Sequence, residues 1–186
     1  GCQYAGAVAV PAYPPRRNRN LARLNSIIDD AQVALALTSR QVASKLRPFL
    51  SQDNGLETLT WMTTENLAVD ASDAGREPHL DSTTLALLQY TSGSTGQPKG
   101  VMISHGNLLH NSALLGRAFE YSRESVCVSW LPIYHDMGLI GGVLQPLHGG
   151  FPCVLMSPMA FLQRPLRWLQ AISRYRGTIS GGPNIA

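Results

Sequence analysis

Apolar residues fall into short runs broken by glycine, proline and polar stretches, and the spacing inside the runs alternates between strand-like and helix-like periods. Ala5 to Val10 is small and apolar, as expected of a strand packed closely on both faces, and Pro11, Pro14 and Pro15 end it. Leu21, Leu24 and Ile28 recur at i, i+3 and i+7, which predicts an amphipathic helix. Val33–Leu37 reads as the next strand. Thr38 or Ser39 is placed to cap a helix through Leu46 that stops near Pro48, and Leu56–Trp61 reads as a third strand. Strand, helix, strand, helix, strand at this spacing implies βαβ units and a parallel sheet. Residues 62–82 show no period and are rich in Thr, Ser, Asp, Glu and Gly. A loop that long is uncommon inside a compact domain, so it marks a surface excursion or a boundary between two sub-lobes.

Beyond it, Leu85–Gln89 reads as a buried strand and Val101–Ile103 as a second. Ser104 is a helix cap, followed by Leu108, Leu115 and Phe119 on one face. Val126–Trp130 and Phe151–Met156 read as strands, with Leu131–Gly138 and an apolar, glycine-containing stretch to Leu147 between them. Ser157-Pro158 is an N-cap and N1 pair. Leu162, Leu166, Leu169 and Ile172 continue as a helix kinked at Pro165, with Trp168 and Leu169 read as core. Thr178–Ser180 is a last short strand entering Gly181-Gly182. The fold class is α/β, with parallel or mixed sheets flanked by helices.

Composition narrows this picture. Apolar residues make up 44%, enough for a core, but charged residues only 15%, which implies that much surface is buried or missing. The net charge of +3 and the lack of any long Lys/Arg block argue against nucleic acid as a partner; Arg16-Arg17-Asn18-Arg19 reads as a solvated helix start. Cys127 and Cys153 lie in apolar runs and read as small, reduced core residues. The five histidines show no zinc-ligand spacing, so no metal ligand is assigned; His105 and His110 read as surface or satisfied histidines. No apolar run reaches the roughly 18–20 residues that span a bilayer. Residues 4–13 have the look of a signal core but no positive residues precede them, so the expected location is cytoplasmic. Both ends break off in mid-pattern, and residues 1–186 are expected to be one incomplete domain, an internal fragment.

The candidate chemistry is concentrated between the two strands near residue 90. Thr91-Ser92-Gly93-Ser94-Thr95-Gly96-Gln97-Pro98-Lys99-Gly100 packs four hydroxyls, three glycines and a lysine into ten positions. Glycines let backbone N–H groups approach an anion, hydroxyls donate further hydrogen bonds, and lysine adds a compact positive charge. A polar hairpin turn is the bland alternative, but such turns rarely collect so many donors. The Walker A pattern fails: five residues after Gly93 stands Pro98, Gly100 follows the lysine, and the loop opens into a strand.

This decapeptide closely resembles the AMP-binding signature of the adenylate-forming enzymes, which include acyl- and aryl-CoA synthetases, amino-acid adenylation domains and luciferases. Gln89-Tyr90, Val101–Leu108, Leu131–Gly142, Gly1–Pro15 and Gly181-Gly182-Pro183-Asn184 extend the resemblance, in particular to the fatty-acyl-AMP ligase branch. It covers nearly the whole chain, 62–82 being the weakest part. The expected architecture is then part of the large N-terminal domain of that fold.

The resemblance implies that a carboxylate attacks the α-phosphorus of ATP to give acyl-AMP and pyrophosphate, with Mg²⁺ present. Thr91, Ser92, Gly93, Ser94, Thr95, Gly96 and Lys99 would hold the β- and γ-phosphates, and Gly181, Gly182 and Pro183 would enter the adenine-binding segment. His135 would line the site near the reacting carboxylate; a solvent-facing histidine at a helix start is the alternative. Asp136 is a candidate cap for the following helix. Gly138 and Gly142 would border an acyl pocket, although close helix packing explains small residues equally well. Pro-Ile-Tyr-His-Asp stands where amino-acid adenylation domains carry a Phe-Asp pair for the α-amine, which favours a fatty or other apolar acid. The acceptor is an acyl carrier protein thiol or CoA, the former in the setting of a polyketide or lipopeptide assembly line. A truncated, non-catalytic nucleotide-binding segment is the reading from another class. The family's later motifs lie beyond Ala186, so the isolated chain is expected to be inactive.

Overall fold

The structure, a computed structural model, describes residues 1–14, 21–50, 56, 59–66, 78–91 and 98–184, with backbone only at 47–50. The chain divides into two compact units. The first comprises Gly1–Leu80 and Leu87–Met102, the second Asp81–Ala86 and Ile103–Ala186. Each unit combines parallel strand pairs with helices, as the α/β reading expects.

In the first unit, α1 (Leu21–Ala31) and α2 (Arg40–Leu50) flank the parallel pair β1 (Leu35–Thr38) and β2 (Thr60–Thr63), in register Leu35 to Thr60. Ser39 caps α2 as expected, its Oγ accepting from the Val42 N–H at 3.3 Å. A second cap comes from outside the helix: both Glu65 carboxylate oxygens accept the Arg40 N–H, at 3.1 and 2.9 Å. That bond, more than any other contact, draws the Glu65 carboxyl below its ordinary range. Three expectations change here. The helix runs past Pro48 to Leu50, because one proline removes a single backbone hydrogen bond and need not end a helix near its last turn. Leu56 is fully buried but precedes the strand, its carbonyl taking the Trp61 indole N–H at 3.0 Å. Residues 5–10 form no strand. Gln3–Ala5 is a 3₁₀ turn closed by Gly6 in the left-handed region, and the extended part is reduced to one parallel bridge, Ala9 to Leu87.

β3 (Leu85–Thr91) and β4 (Lys99–Ser104) pair with one another. In the second unit Ser104 caps α3 (His105–Ala118) in a reciprocal box: its Oγ accepts the Asn107 N–H at 3.1 Å, and Asn107 Oδ1 accepts the Ser104 N–H at 3.0 Å. Phe119 does not share the buried face. It is the exposed residue after the helix and stacks on Tyr121, while Ser112 is the buried residue of α3.

The centre of this unit is a three-stranded parallel sheet in the order β6 (Cys153–Leu155), β5 (Cys127–Ser129), β7 (Ile179–Ser180). All of β5 is buried, as the middle strand requires. Cys127 and Cys153, both free, are register partners across β5 and β6. The apolar stretch after His135 is a π-helix, Met137–Leu144, continued by the short α4 (Gln145–Gly149). The last helix is broken rather than kinked: α5 (Pro158–Gln163), capped by Ser157, stops before Pro165, and α6 (Leu166–Tyr175) starts after it. Trp168 is half-buried, its ring against those of Trp130 and Phe161, and Leu169 is 57% exposed, so neither is a core residue.

Candidate active site

The described part of the glycine–hydroxyl loop is its stem. Thr91 ends β3, Lys99 opens β4, and both are exposed. Ser92, Gly93, Ser94, Thr95 and Gly96 lie outside the described residues. Next to Thr91 the chain turns inward: Tyr90 is only 7% exposed. Its hydroxyl donates to Asp30 Oδ2 in α1. Gly100 sits against the same ring, so close that a Cβ there would lie 2.9 Å from the ring carbon that bears the hydroxyl. Burial, with the Asp30 carboxylate next in importance, pushes the phenol up to about 12, so it remains a proton donor at any physiological pH.

The second cluster forms at the carboxyl end of the parallel sheet, where open α/β sheets place their ligand sites. Leu131–His135 leaves the carboxyl end of β5, and Gly181-Gly182-Pro183 leaves that of β7, its neighbour, with Val128 and Ser180 in register. Three rings fix this end. Trp130 stacks on Phe161 at 3.8 Å between centroids, and Trp168 meets both edge-on at 6.1 and 5.8 Å. The Trp168 indole donates to Ser180 Oγ at 2.7 Å, and that hydroxyl donates to the Val128 carbonyl at 2.6 Å, tying α6 to both strands. Ser129 Oγ accepts the Leu131 N–H at 3.3 Å.

The chain then makes a tight turn, with the His135 N–H donating to the Pro132 carbonyl at 3.0 Å. His135 is 67% exposed, and its Nδ1 faces Asp136 Oδ1. That carboxylate also accepts the Met137 N–H at 2.6 Å, so Asp136 does cap the following helix, which is a π-helix. The imidazole is oriented by its neighbour and open to a ligand. Gly138 and Gly142 are buried for a local reason. A Cβ on Gly138 would stand 2.1 Å from the Pro132 carbonyl oxygen, and one on Gly142 would stand 3.0 Å from Ser129 Oγ. Gly141, between them, faces open space. The small residues let the π-helix settle onto the turn that carries His135.

The sequence reading missed the Tyr90–Asp30 link and the Trp168–Ser180 relay. A signal for the first exists: two adjacent carboxylates, Asp29-Asp30, end a helix where the macrodipole disfavours negative charge. Among the described residues no group of three or more His, Cys, Asp or Glu is placed to hold a metal ion. Among them, too, no helix is long and apolar enough to cross a membrane.

Residues 1–184 match the AMP-binding enzyme family. The chain is 46% identical over its whole length to medium-chain-fatty-acid–[acyl-carrier-protein] ligase JamA of Moorena producens (strain JHB), covering 32% of that protein. It is 36% identical to the ligase of the same description, TtuA, of Teredinibacter turnerae, over 98% of this chain and 34% of that protein. In fold it matches a fatty acyl-adenylate ligase from L. pneumophila, solved with acyl adenylate and pyrophosphate. The TM-score is 0.89 at 39% identity, over 99% of this chain and 31% of that one. The chain thus spans about a third of the length of the relatives it matches.

Proposed function

The chain belongs to the AMP-binding enzyme family, and on that premise we propose that the protein containing it activates a fatty acid with ATP and passes the acyl group to a carrier-protein thiol. The carrying observation is the match of 98–100% of the chain to ligases named for a medium-chain fatty acid and an acyl carrier protein. In this reading the fatty carboxylate attacks the α-phosphorus, acyl-adenylate forms and pyrophosphate leaves. The thiol of the carrier protein then takes the acyl group and releases AMP.

Charge builds on the departing pyrophosphate, and fixed donors stabilise it without reorganising. Thr91 and Lys99 are the stem residues assigned to that task, together with the loop hydroxyls and glycines at 92–96. His135, held by Asp136, donates a hydrogen bond at the reacting carboxylate. Gly181, Gly182 and Pro183 contribute backbone to the nucleotide pocket. Gly138 and Gly142 shape the acyl wall from behind, by letting the π-helix sit deep, and leave the open side of Gly141 toward a chain. Mg²⁺ would enter with ATP as the counter-ion of its phosphates. The reaction belongs to the cytoplasm, where ATP and carrier proteins are available. As a third of its relatives' length, the isolated chain supplies one part of this machinery.

The test is pyrophosphate release by the full-length protein against straight-chain acids from short to long. Medium-chain acids should be preferred, and Lys99→Ala should lower kcat by about a hundredfold, the scale of losing one preorganised donor to developing charge. Unchanged kinetics in that variant would remove Lys99 from the reaction.

A further inference from the structure

We propose that Tyr90 and Asp30 form a positioning device for Lys99, in which α1, outside the glycine–hydroxyl motif, sets the geometry of the loop stem. This rests on the reading of Lys99 given above. Three contacts carry it, all within the first unit. The Tyr90 hydroxyl donates to Asp30 Oδ2, in the last turn of α1. From the same helix, Arg23 Nη2 reaches the Tyr90 carbonyl oxygen at 3.5 Å. Across the stem, the Tyr90 ring bears on Gly100, where a Cβ would stand 3.1 Å from the hydroxyl oxygen and 2.9 Å from the ring carbon that carries it.

The consequences follow from geometry. Tyr90 precedes the first loop residue and Gly100 follows Lys99, so one side chain braces both entry and exit of the loop. Asp30 is exposed, so its carboxylate would be fully solvated without Tyr90. It stands at the helix end that disfavours a negative charge, and the phenol O–H is the compensating donor. A side chain at position 100 would push the ring from its place. The ammonium of Lys99 acts on charge that develops in the transition state, so a loosened backbone beside it costs rate more than ground-state binding.

The experiment is pyrophosphate release by the full-length protein carrying Tyr90→Phe, Asp30→Ala, Asp30→Asn and Lys99→Ala, singly and with Tyr90→Phe combined with each of the others. Tyr90→Phe keeps the ring and Asp30 is solvated, so both variants are expected to fold, with midpoints of thermal unfolding as the control. Tyr90→Phe and Asp30→Ala should each lower kcat by about tenfold, the scale of one hydrogen bond to a charged group, with KM for the fatty acid unchanged. Asp30→Asn, which retains an acceptor, should recover most of the rate. The deciding readout is coupling: in the Lys99→Ala background, Tyr90→Phe should have no further effect. If Lys99→Ala slows the reaction but Tyr90→Phe leaves kcat unchanged, or multiplies with Lys99→Ala as an independent defect, the positioning device is overturned and the role of Lys99 stands. If Lys99→Ala itself is silent, the reading of the loop falls and the device with it.

Discussion

At the stem of the loop a phenol and an exposed carboxylate set the geometry, whereas at the carboxyl end of β5 three packed aromatic rings do. The stem contact is polar, lies partly at the surface and is made by residues sixty positions apart. In the ring cluster Trp130 and Phe161 are buried, and the rings come from the residue after β5, from α5 and from α6, elements that pack on one another. A hydrogen bond to a charged group contributes on the order of 1.5–3 kcal/mol at most, and less where water competes. Burying a large aromatic side chain contributes more, and without strict direction. The lesson is a division of labour: the sheet end is built for rigidity, the stem for alignment. Substitutions at the first should be read in stability and at the second in rate.

The largest effect should come from the ring cluster. Phe161→Ala is expected to destabilise the full-length protein by about 3–5 kcal/mol, the range for losing a buried aromatic ring. Denaturant unfolding followed by tryptophan fluorescence reads it, since Trp130 and Trp168 both touch that ring. A loss below 1 kcal/mol would place the rigidity elsewhere and dissolve the contrast. Next, Gly138→Ala should cost about 3 kcal/mol, because its Cβ meets backbone that cannot rotate away. Gly141→Ala, which meets nothing, should fall within about 0.5 kcal/mol of the parent protein. Equal effects at the two positions would show that the π-helix does not seat as described.

The smallest effect sharpens the polar side of the comparison. The exposed Asp81 carboxylate accepts four hydrogen bonds from Thr83 and Thr84 at 2.8–2.9 Å, at the turn before β3. These bonds, the Thr83 side chain first, lower its carboxyl from 3.8 to about 2. Because the folded value is depressed, the turn's contribution is complete above pH 3.8 and is lost as pH falls through 2. An NMR titration should find the Asp81 midpoint near 2. A midpoint near 3.8 would mean that the turn does not hold the carboxylate.

Local chemistry was legible in the sequence where one residue settles it. Ser104 and Ser157 announce their helices through hydroxyls that reach the backbone three residues on. Strand order and burial depend on distant partners and were read less well. Phe119 and Leu169 keep the helical period yet stand exposed, since periodicity names a face without saying what covers it. The strand expected at residues 5–10 had the right composition, but Gly6 at φ 66° turns the chain where a strand would extend. Of the candidate site, the loop motif and the His135–Asp136 turn were visible as residue types. The Tyr90–Asp30 bond was not, because no local pattern joins a helix end to a strand end so far along the chain.

The π-helix makes the number of residues in that stretch as informative as their kinds. Its wider turns close bonds five residues apart, as in the Gln145 N–H to the Ile140 carbonyl. Gln145, 2% exposed, donates from Nε2 to the Ser112 carbonyl at 3.2 Å. Deleting one residue between Met137 and Leu144 while the five-residue closure persists would rotate all that follows by roughly a quarter turn. Gln145 would swing out of its slot with every side chain name unchanged. Insertion and deletion, rather than replacement, are therefore the changes to which this part of the protein is most sensitive.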